Sequence, residues 1–239
     1  MKTRVQSFII MILMLLAFAI VPKTHAVVPS PDGGYPGGNT AEGTNALLRL
    51  TTGQNNTAVG LNSISNTITS SNNTAIGAGA LRFNTGESNT ATGAAALRNN
   101  TSGGANVANG ADTLENNTTG VGNTAIGRSA LFHNIDGSLN TAVGLGALAS
   151  NKSGGSNTAI GEEALGDNTT GMTNTAIGGS ALSFNTTGRS NVAIGESALD
   201  SNTVGAFNTA VGSNAGHGMN RGCQEYGYRG RSRPRPNQR

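Results

Sequence analysis

Apolar and polar positions along this chain recur at every seventeenth residue, a period longer than that of a strand or a helix. The phrase Asn-Thr-Ala-(Ile/Val)-Gly, or a close variant, begins at Asn39, Asn56, Asn73, Asn89, Asn106, Asn123, Asn140, Asn157, Asn174, Asn191 and Asn208. Every step is of seventeen except that from Asn73 to Asn89, which is one shorter because Asn84-Thr85-Gly86 lacks one residue of the usual Asn-Thr-Thr-Gly. Counting from the first Asn, position three is Ala and position five is Gly in all eleven copies. Position four is Ile or Val in eight, with Glu42, Thr92 and Asn109 as exceptions. Position nine is Leu in nine, with Ile64 and Gly216 completing the set, and Asn recurs at position twelve. A fixed period of this size marks a solenoid-like array, in which one short unit stacks on copies of itself.

Each unit reads as strand, turn, short apolar segment, turn. Thr and Ile/Val favour strands, and alternation places positions two and four on one face with Ala on the other. The fixed Gly implies a positive φ or a close backbone approach that a Cβ would block. Segments such as Asn168-Thr169-Thr170-Gly171 carry turn chemistry. The same β-branched residues, Asn and Gly oppose a helix. Eleven units stacked about 4.7–4.9 Å apart predict a rod on the order of 50 Å long.

The invariant Ala predicts a thin interior. A sandwich packs its sheets about 10 Å apart around large side chains, whereas this chain has no Trp and 4% aromatic residues. The opposite face carries Ile or Val along most of the array, a contiguous apolar stripe of a kind that monomers rarely expose. Association of several chains side by side would bury it. The expected fold is therefore all-β: a parallel β-roll that assembles with itself, with a single-chain β-solenoid as the plainer alternative.

The two ends differ from the array. Residues 1–26 read as a signal peptide: Lys2 and Arg4 precede an apolar run, Phe8 to Val21, and Thr24-His25-Ala26 offers small residues for cleavage. That run is shorter than the roughly 20 residues needed to span a bilayer, so no transmembrane anchor is expected in this chain. Residues 27–38, with Pro29, Pro31 and Pro36, read as a linker into the repeat region, 39–216. After Gly216 the periodicity is expected to stop. Residues 217–239 carry six Arg against Glu225 and read as a disordered basic tail. An Arg/Gly/Pro composition also suits nucleic acid or an anionic surface, and a reading frame lost near Gly216 is a further expectation. The first segment carries +3 and the last +5 of a total of +3, leaving −5 for residues 27–216. Nucleic-acid binding through the repeats is accordingly not expected.

Catalytic, cofactor and metal sites are not expected. His25, His133 and His217 lie in different units, so none pairs with another. Cys223 is alone, without a neighbouring base. Glu162-Glu163, Glu196 and Asp200 fall at variable positions, as solvated residues do, and no Gly-Gly-x-Gly-x-Asp unit of a calcium-binding roll occurs.

The Asn-Thr-Ala-Ile-Gly-x-x-Ala-Leu units resemble the YadA-like head repeats of trimeric autotransporter adhesins, with Asn191-Val192-Ala193-Ile194-Gly195 the nearest match. They also resemble the seventeen-residue repeats of bacterial tail-fibre-like surface proteins. The resemblance covers residues 39–216 and implies a left-handed β-roll, a homotrimer and a secreted or cell-surface location. It further implies an adhesive head that binds a host, matrix or other surface ligand. The period is longer than that of the adhesin heads, so the shape of the rung does not carry over. An alternative function is ice binding, because a stack of Thr-x-Ile or Thr-x-Val strands presents a regular array to water.

Overall fold

The computed structural model describes residues 35–219 and 226–228. The predicted signal segment, most of the linker and most of the basic tail lie outside them. The described residues form an all-β, parallel β-solenoid, and each repeat is one rung. Eleven three-residue strands run from β1 (Thr40–Glu42) to β11 (Thr209–Val211), and sequence order is also spatial order. Pairing is in register, position on position: Thr40 with Thr57, Ala41 with Ala58, Glu42 with Val59, and so on along the stack. A register slip would throw Ala outward and Ile inward, so the alternation itself fixes the pairing.

The strands are short because the rest of each rung is built of turns, yet the turns pair between rungs as well. The Leu81 amide donates to the Ala96 carbonyl at 3.0 Å, and the Thr118 amide to the Ile135 carbonyl at 2.9 Å. The expected apolar segment is itself such a turn. Nine leucines at position nine sit at φ between 50° and 53° and Ile64 at 43°, a left-handed conformation that costs a residue with a Cβ roughly 1–2 kcal/mol. Full burial of Leu, worth about 1.5–3 kcal/mol, offsets that strain. In the last copy the leucine is gone, and Gly216 keeps the left-handed backbone at 67°.

Three side-chain columns fill the interior: Ala at position three, Ala at position eight and Leu at position nine, nearly all fully buried. Where position eight is polar, the hydroxyl is satisfied locally: Thr113 Oγ1 donates to the Gly127 carbonyl at 2.8 Å. The invariant Gly meets both expectations at once. Gly127 has a φ of 121°, and a Cβ there would lie 2.5 Å from the carbonyl oxygen of Gly144 in the next rung.

Two ladders of buried asparagine run through the stack. At position one, the Asn106 amide N–H and Nδ2 both donate to Asn89 Oδ1, at 3.0 and 3.2 Å. The second Nδ2 proton goes to the Gly120 carbonyl of its own rung at 2.9 Å. At position twelve, Asn134 Nδ2 donates to Asn117 Oδ1 at 2.7 Å and to the Gly137 carbonyl at 2.8 Å. Only Asn has an amide of this reach: Asp lacks the donors, Ser lacks the length and the planar pair of groups. The short copy passes without a break in either ladder. Asn89 N–H still reaches Asn73 Oδ1 at 3.0 Å, and Asn100 Nδ2 reaches Asn84 Oδ1 at 2.6 Å. The missing residue belongs to an outer turn, which closes with Thr85 N–H on the Thr101 carbonyl at 2.7 Å.

The repeat motif of the sequence stops at Gly216, but the stacked backbone continues past it. His217 to Met219 complete the turn of the eleventh rung, with the Met219 amide on the Gly216 carbonyl at 3.1 Å. A twelfth strand, β12 (Tyr226–Tyr228), then pairs parallel with β11: Thr209 with Tyr226, Ala210 with Gly227, Val211 with Tyr228. Each pair again spans one full period of the array. Backbone pairing needs no repeat signature, so a strand without Asn, Ala or Ile escaped a reading based on side chains. At the other end, Tyr35 bridges to Asn39, and the Gly37 carbonyl accepts the Asn55 amide at 2.9 Å. The last residues of the linker thus belong to the first rung.

Candidate interaction surface

The strand face opposite the Ala column is where the array meets its surroundings. At position four, Ile76, Ile126, Ile160, Ile177 and Ile194 keep 36–44% of their surface exposed, a high value for the best strand-forming apolar residue in the unit. From Ile126 through Val143, Ile160, Ile177 and Ile194 to Val211 the column is apolar without interruption. Five spacings of about 4.8 Å make this stripe on the order of 24 Å long. Towards the amino end it is broken by Asn109 and Thr92 and closed by Glu42. Position two runs alongside, with Thr124, Thr141, Thr158 and Thr175 in consecutive rungs, all partly exposed.

The regularity of this face follows from the interior. The stacked glycines hold neighbouring backbones close, and the Asn ladders fix the rotation of each rung on the last. Each outward side chain therefore stands directly over its counterpart. The variable residues are elsewhere: Arg128, Glu162, Glu163 and Glu196 are exposed at positions six and seven, beside the partly exposed Ser129 and Ser197. Position seven also takes a left-handed backbone, with φ of 58° at Ser129, 55° at Glu163 and 52° at Ser197.

The residues considered for chemistry remain apart. His133 is exposed and packs edge-on against Phe132, with ring centroids 4.6 Å apart. His217 Nδ1 lies 2.8 Å from Asp200 Oδ1, one rung away, a side-chain contact on the outer turn. Arg98 and Glu115 form an ion pair at 3.6 Å. Cys223 lies outside the described residues. Among the described residues no group of three or more His, Cys, Asp or Glu could hold a metal ion, and no helix is long and apolar enough to cross a membrane.

The buried asparagines were missed as structural residues, since Asn beside Thr and Gly reads as turn chemistry. The available signal was frequency: Asn at position one is as invariant as Ala and Gly, and a turn position rarely needs one residue type eleven times. No family model, curated protein or solved structure matches the chain.

Proposed function

We propose that this chain is a secreted or cell-surface structural module. Its rungs associate laterally with copies of itself, as a homotrimer, and its variable turns form an adhesive surface. The observation that carries this reading is the division within each rung. Positions three and five are invariant and the other interior positions nearly so, position four on the outward strand face is Ile or Val for six consecutive rungs, and the most varied residues lie on exposed turns. A catalytic protein concentrates its polar groups at one place, whereas here every rung offers the same backbone with a different turn. The apolar stripe supports side-by-side association, because burying it from water is favourable by about 25 cal/mol per Å². The surface ligand is recognised by turns such as Arg128-Ser129, Glu162-Glu163 and Glu196-Ser197. Alanine at these six positions is expected to abolish retention of the protein on cells or matrix while leaving its melting unchanged. Unchanged retention removes the adhesive assignment.

A second reading, ice binding, is favoured by the in-register Thr124–Thr175 column. It predicts thermal hysteresis by the purified protein, which the adhesive module does not show.

A further inference from the structure

β12 lies in the segment for which the proposed function has no use, and its place in the stack gives it one. All ten hydrogen bonds from a position-one backbone amide to an Asn side chain have the later rung as donor and the earlier rung's Oδ1 as acceptor. The position-twelve ladder has the same polarity over seven bonds. The stack therefore presents acceptors, together with an open strand edge, toward its carboxyl end. Such an edge pairs with any strand that reaches it unless it is covered.

The second half of the last rung is closed by composition. Met219 stands one period after Asn202, supplies no donor, and packs against the core, leaving Asn202 Oδ1 buried without a hydrogen bond. Leu50 occupies the same position in the first rung and also packs against the core. Among the described residues, β12 is what lies over the strand half. β12 keeps the parallel register and the period of the array.

We propose that β12 is the terminating cap of the solenoid. It covers the carboxyl edge of β11 and so prevents a second copy of this chain from pairing there. The proposal concerns the end of the stack and is independent of lateral association through the Ile/Val face. The test is the full chain with Gly227→Pro, because position three of a rung donates its amide back to the rung before, and Pro removes that donor and fixes φ. At sub-micromolar concentration, amide exchange of Thr209–Val211 is expected to accelerate at least tenfold, with rungs two to nine unchanged. At about a hundredfold higher concentration, the variant is expected to multiply the mass of the wild-type assembly and to recover that protection. Unchanged exchange of Thr209–Val211 overturns the cap. Faster exchange with no gain in mass at any concentration overturns the claim that a second copy takes the uncovered edge.

Discussion

Asn157 bonds to Asn140 twice: its backbone N–H and its Nδ2 both donate to Asn140 Oδ1, at 3.0 and 3.1 Å. The remaining Nδ2 proton reaches the Gly171 carbonyl at 2.9 Å, and Asn157 Oδ1 in turn accepts from Asn174. One fully satisfied amide thus ties three consecutive rungs. Buried polar groups in such a chain specify position as well as contributing energy.

Removing that amide is therefore costly. Asn157→Ala leaves the Asn174 backbone N–H and Nδ2 without their acceptor, while the Gly171 carbonyl keeps Asn168 Nδ2 at 3.1 Å. At about 1–3 kcal/mol for each buried group left unsatisfied, the loss is expected to be about 2–5 kcal/mol in a urea melt. Asn157→Asp keeps the acceptor but loses the donor and buries a charge. Burial raises such a carboxyl in the folded state, so the stabilising, protonated form dominates below the unfolded value of about 3.9. The deficit of the variant relative to wild type is expected to be smallest there and to grow as pH rises through the raised folded value. A deficit independent of pH would mean that the new carboxyl reaches water.

Glycine position five tolerates nothing larger. Gly127→Ala brings a Cβ to 2.5 Å from a backbone oxygen that cannot retreat, and about 3 kcal/mol or more of destabilisation is expected. Gly79 is the control. Its φ is 69° but a Cβ there meets nothing within 4 Å, and other rungs place Asn45, Ala95 or Asp112 at the same position. Gly79→Asn is expected to change stability by less than about 1 kcal/mol.

The Ala column behaves likewise. Ala142→Leu forces side-chain volume into a fully buried site and is expected to cost about 1–3 kcal/mol. Ser129→Leu, on a partly exposed turn, should cost far less. Equal tolerance would reverse the assignment of faces.

The short rung offers a test of the ladders as the element that sets register. Inserting Thr between Thr85 and Gly86 restores the regular spacing in an outer turn. Because the Asn73–Asn89 and Asn84–Asn100 bonds already close around the gap, the insertion should shift the melt by less than about 0.5 kcal/mol.

Much of this was legible in the residues. The alternation of Thr, Ala and Ile gave the strand and its two faces, and invariant Gly gave a positive φ or a close approach, of which the fold has both. The left-handed backbone of the position-nine leucines was not legible, since their intrinsic preference opposes that conformation and packing overrides it. The Asn ladders were hidden because a side chain that caps a turn and one that bridges rungs have the same chemistry. β12 was hidden because Tyr226-Gly227-Tyr228 joins the stack through its backbone. The surface stripe was visible as a pattern, and its exposure became a quantity only with the fold.

Lateral association is the central claim, and sedimentation equilibrium of the full chain at micromolar concentration tests it most directly. The proposed homotrimer, associated through the Ile/Val stripe, predicts a trimer for the wild type. The triple variant Ile126→Asp, Ile160→Asp and Ile177→Asp should sediment as a folded monomer, because each carboxylate would otherwise be buried without a partner. A wild type that is monodisperse, folded and monomeric would contradict lateral association.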